Sequence, residues 1–299
     1  MSPQNEPRKN KAERTSDARE KARLLREAQL RKEKRNGWLI RGGVLAAAVA
    51  IIVIIALVII NTQKANEPVA DSGPVPTNMN AYGGITLGKD GAVIAPTTTE
   101  TTVDVTAVRE APTAPSEKAF DLEDIGIKAT ADGEPIQTVV YFDFMCPFCG
   151  QFEQQYGAQL KQLASEDKVT VEYRALGFLD RFGGGTNYSS RAGAAAACVA
   201  DVSPQAYQPF LDKLFVEQPA ENSKGINNAT LNKYAVEAGS EDINECIDSK
   251  NFRPYVANTT ALASAHGVSS TPTVFMDGEQ WMSTEGFDTF LQRTLEAKK

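Results

Sequence analysis

The sequence predicts an α/β protein in which a strand–helix–strand frame is interrupted by a block of helices and closed by a hairpin and a last helix, the whole preceded by a single transmembrane helix and a disordered stalk. Three observations predict it. The run Val139 to Gly150, VVYFDFMCPFCG, is an apolar strand that breaks into a C-x-x-C just before helix-like sequence begins. Gly42 to Ile60 is nineteen residues without a charge, a length that suits a hydrocarbon core about 30 Å thick. Phe120 to Lys299 supplies 180 residues, enough for one domain with a sizeable core.

The net charge of −7 over 299 residues hides a steep asymmetry. Residues 1–41 carry 13 Lys and Arg against 6 Asp and Glu, a surplus of +7, so the remaining 18 basic and 32 acidic residues leave −14 for the rest. Residues 1–37 read as a basic, helix-permissive cytoplasmic tail with pairs such as Glu27 and Arg31 at i, i+4. A solvated juxtamembrane helix that sets orientation accounts for this charge, and binding to anionic lipid or a partner is the alternative. Residues 38–60 read as the membrane helix, with Trp38 and Arg41 as interfacial anchors. A cleaved signal peptide needs a shorter basic leader and an apolar stretch of about 7 to 15 residues, and no small-residue cleavage pattern follows the Ile/Val block here. Cations packed before the span place the N-terminus in the cytoplasm and everything after Asn61 outside, where cysteines can be oxidised.

Residues 61–118 are rich in Pro, Thr, Ala and Gly and read as an extended extracytoplasmic linker. One stretch, Ala81 to Ile94, alternates apolar residues around a Gly-Lys-Asp-Gly turn and is a candidate hairpin against the main domain. Residues 119–299 form the folded domain. The strand at Val139 is followed by a helix over Gln151 to Ser165 and an alternating strand at Val169, which predicts a right-handed crossover and parallel pairing. Helical spacing then holds from Tyr188 to Ala200, Pro204 to Glu217, Thr230 to Ala238, Glu241 to Ser249 and Phe252 to His266, an insertion at about 186–266. Asp277-Gly278 between apolar runs predicts a two-residue hairpin, and Phe287 to Ala297 a closing helix.

Cys146 falls where that first helix starts, so unpaired N–H groups and the helix dipole favour its thiolate and make it the nucleophile. Pro147 occupies the first helical position, and Cys149 lies three residues on, within disulfide reach. Half of a zinc site is the alternative reading of a C-x-x-C, but Cys198 and Cys246 stand far apart rather than as a second close pair. A Cys198–Cys246 bridge would staple the helical insertion, contributing roughly 3 to 4 kcal/mol; free buried thiols are the alternative. His266, the lone histidine, stands before Gly267 where a helix C-terminus favours a cation, and reads as a cap, with tuning of the active site the alternative. The triplets at Asn187, Asn228 and Asn258 match a glycosylation pattern that arises often by chance. No phosphate loop, nucleic-acid motif or metal cluster is present, no cofactor is expected, and the acidic ectodomain argues against nucleic acid.

The motifs FDFMCPFC and GVSSTPTVFMDG (Gly267 to Gly278), separated by a helical insertion, resemble the DsbA-like thioredoxin-fold oxidoreductases, in the membrane-tethered form found in Gram-positive actinobacteria. The resemblance implies a thioredoxin fold with an inserted α-helical domain, with Thr271-Pro272 as the cis-proline loop facing the cysteines. It implies a catalytic set of Cys146, Pro147, Phe148, Cys149, Thr271 and Pro272, and a Thr271 backbone free to pair with an extended substrate. Two departures stand out. The buried acid that relatives carry six residues before the first cysteine is Val140 here, leaving Asp143 or water to move the proton of Cys149. Phe148 stands where the best-known oxidant of the family has His, so the pair should be less oxidising than that protein.

By the same resemblance the function is disulfide formation in unfolded exported proteins with free thiols, whose thiolates attack Cys146 as the exposed sulfur, and the membrane anchor suggests re-oxidation by a quinone-linked membrane partner of the DsbB or VKOR-like kind. A reductase serving cytochrome maturation and a peptide-binding chaperone are the alternatives.

Overall fold

In a computed structural model, the structure describes residues 20–27, 29, 31, 32, 43, 47–56, 68–109, 121–282 and 284–298. The chain divides into two units, Met1–Lys64 and Ala65–Lys299. In the first, residues 20–27 are helical, with Arg23 rather than Arg31 facing Glu27, at 4.0 Å. Residues 47–56, drawn from the uncharged run, are also helical. No helix among the described residues is long and apolar enough to cross a membrane; residues 38–42, 44–46 and 57–60 of the expected span lie outside them, as do residues 1–19, 28, 30 and 33–37 of the expected tail.

The second unit is built on a six-stranded sheet in the order β3 (Val93–Ile94), β2 (Gly84–Leu87), β6 (Val169–Ala175), β5 (Ile136–Phe142), β7 (Thr273–Met276), β8 (Glu279–Gln280). Its centre is β5 (Ile136–Phe142), parallel to β6 (Val169–Ala175) in a register that sets Val140 opposite Tyr173. On its other edge β5 runs antiparallel to β7 (Thr273–Met276), which turns through Asp277 and Gly278, both at positive φ, into β8 (Glu279–Gln280). This is the two-residue hairpin that an Asp-Gly pair favours. Every residue of β5 except Gln137 is buried, as a strand covered on both faces must be.

The expectation of a disordered stalk up to residue 118 is corrected. Residues 68–109 carry β1 (Ser72–Pro74), β2 (Gly84–Leu87), β3 (Val93–Ile94), β4 (Thr102–Asp104) and a short helix, α1 (Val105–Arg109). The candidate hairpin is formed: β2 pairs with β3 and lies antiparallel along β6. Ile85 and Leu87 are buried, as are Met79, Val103 and Val105, so alternation outweighs the Pro- and Thr-rich composition around it. Asn80 reinforces the join, its amide reaching Glu172 at 2.7 Å, while Glu172 accepts from the fully buried Arg174 at 2.7 Å. The folded unit therefore begins well before residue 119. Residues 110–118 of the expected stalk lie outside the described residues.

After β5 come α2 (Pro147–Phe152), a π-helical turn (Glu153–Gly157) and α3 (Ala158–Ser165), then β6. The helical insertion follows as α4 (Tyr188–Val202), α5 (Tyr207–Val216), α6 (Asn228–Glu237), α7 (Asn244–Asp248) and α8 (Arg253–Ala265). Cys198 of α4 and Cys246 of α7 form a disulfide. His266 ends α8, its ring Nδ1 2.9 Å from the Leu262 carbonyl and Gly267 following at φ 86°, the helix-capping place read from the sequence. Asn258 is buried, which removes one of the three glycosylation triplets from solvent. Helix α9 (Phe287–Ala297) closes the chain, packing Phe287 against Phe152 and Trp281.

The π-turn holds a buried acid. Glu153 Oε1 has no hydrogen-bond partner, and its nearest cation, Lys161 at 3.9 Å, is held closer by Asp212 at 2.6 Å. A Cβ at Gly157 would fall against that oxygen, so a side chain there would make the Glu153 carboxyl shift. Burial pushes the Glu153 carboxyl up to about 7 from 4.5. Between those values the native state holds a proton that the unfolded chain releases, so stability falls as pH rises through that window. Glu153→Gln should be near neutral at pH 4 and stabilise by on the order of 2 kcal/mol at pH 8. Urea unfolding at both values checks it, and an equal shift at the two would count against a buried charge.

Candidate active site

The strand and helix that carry the cysteines meet as the sequence leads one to expect. β5 ends at Phe142, and after a tight turn Cys146 is the N-cap of α2 with Pro147 at its first position. The Cys146 carbonyl accepts from the Cys149 and Gly150 N–H groups at 3.0 and 3.2 Å. Cys149 thus lies one turn in, facing the sheet. Both cysteines are free thiols. The Thr271–Pro272 bond is cis, and the Thr271 carbonyl lies 3.3 Å from Cys146 Sγ. Two segments 125 residues apart therefore meet at one sulfur.

Cys146 is 5 % exposed against 1 % for Cys149. The expectation of an exposed sulfur at Cys146 is corrected to that extent: the Thr271 carbonyl lies over it, and the exposed residues are the two between the cysteines, Pro147 and Phe148, the latter at 66 %. The two thiols are electrostatically unlike. The hydrogen bond from the Cys149 thiol, joined by Thr271 and by the Cys149 and Phe148 N–H groups, holds Cys146 down to about 6 against the opposing effect of burial. Burial, with the hydrogen bond to Cys146, pushes Cys149 well above the ordinary thiol range. Such a pair ionises at one sulfur only, the one nearer solvent.

Asp143 is fully buried and its carboxyl is pushed up by burial to about 6. Its oxygens accept from the Met145 and Leu179 N–H groups at 2.8 and 2.9 Å. Its own backbone N–H, not its carboxyl, is what meets Cys149 Sγ, at 3.5 Å. The carboxylate braces the turn before Cys146 against the loop after β6. Val140, where an acid was looked for, is a buried core residue.

Sequence reasoning missed Gln218. Lying just beyond α5, it donates from Nε2 to the carbonyls of Phe144 and Cys146 at 3.1 and 2.9 Å. Nothing in the spacing around Gln218 signals this, because the contact spans 72 residues of chain. Among the described residues no cluster of His, Cys, Asp or Glu could hold a metal ion.

A dithiol at a helix N-terminus, facing a cis-proline loop on a mixed sheet with one parallel crossover, defines a thioredoxin-fold protein. The family model described as Thioredoxin matches residues 134–296, more than half of the chain. The chain belongs to the thioredoxin family. Over 159 residues it is 28% identical to the serine/threonine-protein kinase PknE of Mycobacterium tuberculosis, covering 50% of this chain and 28% of the kinase, so it spans little more than a quarter of that curated relative. The solved oxidised DsbA of Mycobacterium tuberculosis is 33% identical, with a TM-score of 0.49, covering 58% of this chain and 89% of that one. MdbA of Actinomyces oris, a thiol-disulfide oxidoreductase, has 19% identity and a TM-score of 0.52 over 78% of this chain and 94% of its own, a likeness of fold.

Proposed function

We propose that this protein is a membrane-tethered, extracytoplasmic thiol–disulfide oxidoreductase that forms disulfides in exported proteins through Cys146 and Cys149. The observation that carries it is the asymmetric pair: Cys146 held down to about 6 at the N-terminus of α2, and Cys149 raised behind it, opposite Thr271–Pro272. In the oxidised enzyme a substrate thiolate attacks Cys146 Sγ. The Cys146–Cys149 bond breaks, a mixed disulfide forms, and Cys149 takes up a proton. A second substrate thiolate then attacks the substrate sulfur of that mixed disulfide. It leaves oxidised substrate, with Cys146 departing as the more stable thiolate. The two electrons now on the enzyme pass to a quinone-linked membrane partner. Phe148, with Pro147, offers an apolar face to an unfolded chain, and the Thr271 backbone lies beside the reacting sulfur.

The absence of a cation at Phe148 favours a second reading, reductive exchange, and the reduction potential separates the two. A value nearer about −120 mV supports oxidation and one near about −270 mV reduction. Alkylation of the reduced protein by iodoacetamide should follow a single thiolate with a midpoint near pH 6; a midpoint at the ordinary thiol value would remove the basis of the proposal. Tethering rests on the uncharged run Gly42 to Ile60 and the basic residues before it. Protease added outside intact cells should release a fragment containing Phe120 to Lys299 while an N-terminal tag stays protected. Protection of both ends would sink the anchor.

A further inference from the structure

We infer that Gln218 is a positioning residue for the cysteine pair, and that Gly150 is glycine to admit it. The inference rests on the exchange activity proposed above and assigns part of its control to the helical insertion. Phe215 of α5 packs on Phe142 and Phe144, ring centroids 5.6 and 5.5 Å apart, which anchors the end of that helix against the turn before Cys146. Three residues on, the Gln218 amide spans the turn and donates to the Phe144 and Cys146 carbonyls. A Cβ at Gly150 would fall against Gln218 Oε1 and displace the amide, although alanine otherwise suits a helix better than glycine.

The chemistry follows from where those carbonyls sit. Their oxygens are the negative ends of peptide dipoles on either side of the residue that must carry the thiolate. An amide N–H donated to both withdraws that partial charge and holds the N-cap geometry in which the first N–H groups of α2 face the Cys146 sulfur. Without Gln218 the thiolate is less stabilised, the reduced form loses its advantage, and the pair becomes less oxidising.

The test is a double-mutant cycle on the full ectodomain, 65–299, read by equilibrium with glutathione and by the pH profile of Cys146 alkylation. Gln218→Ala should shift the equilibrium constant about threefold toward the disulfide form, about 14 mV at 29.6 mV per tenfold, and move the alkylation midpoint upward. Gly150→Ala should do the same in the native background by displacing the amide, and add nothing in the Gln218→Ala background. Gln218→Glu, which places a carboxylate against two carbonyls, should shift the constant about tenfold in the same direction. A Gln218→Ala protein that melts lower with an unchanged constant and midpoint would reduce Gln218 to a brace and overturn the inference. Additive effects of the two alanines would overturn the part given to Gly150. A wild-type protein without exchange would instead remove the proposed function, so the two failures are distinguishable.

Discussion

Cys146→Ser should abolish the proposed thiol–disulfide exchange, and Cys149→Ser should leave the protein covalently caught on its substrates. This is the largest effect the site leads one to expect, because the two sulfurs are not interchangeable. Cys146 caps α2 and ionises near pH 6, whereas Cys149 is buried a turn deeper and keeps its proton. In the proposed exchange Cys146 bonds to substrate, and Cys149 is placed to release the substrate from it internally. Non-reducing gels of the Cys149→Ser protein from cells, followed by mass mapping, should show mixed disulfides through Cys146, with turnover lost by at least about a hundredfold on removal of either sulfur. Trapping on Cys149 in the Cys146→Ser protein, with none on Cys146 in the reciprocal variant, would reverse the assignment of nucleophile and resolver.

Removing the Cys198–Cys246 bridge should cost the second unit about 4 kcal/mol, the chain-entropy value for a loop of this size. The bridge closes 48 residues of separation and ties α7, five residues long, to α4, whose Cys198 is fully buried. A helix that short has little stability of its own, so the staple holds the insertion closed at its far end. The comparison is urea unfolding of the Cys198→Ala/Cys246→Ala protein with wild type, both with the active-site pair reduced. A loss under about 1 kcal/mol would mean that packing alone holds α7 in place. With Cys198 fully buried, the bridge offers an attacking thiolate only the partly buried Cys246 sulfur, so titration with dithiothreitol should open Cys146–Cys149 first.

The order of elements was legible because periodicity is local. The run Val139 to Phe142, the break at Cys146-Pro147, the Asp277-Gly278 turn and the five helical stretches after Tyr188 each carry their own signal, and the structure realises them close to the expected bounds. The same locality explains the misreading of residues 68–109. Pro, Thr and Gly counts describe how a segment behaves alone, while β2 is ordered by ladder bonds to β6 and by burial of Ile85 and Leu87, none of which composition contains.

The sequence by itself determined the chemistry: two cysteines three apart at a strand-to-helix junction, and a Thr-Pro far along the chain matching the motif that faces such a pair. Only the tertiary structure decided how that chemistry is held and tuned. It set the Thr271 carbonyl over Cys146, turned the Asp143 carboxylate away from Cys149 to brace a loop, and brought Gln218 across 72 residues to the Cys146 carbonyl. The physical reason is that a residue's type and helical position bias its ionisation locally. The burial and hydrogen-bond partners that complete the shift come from segments distant in the chain, which meet only when the sheet and the helical insertion pack.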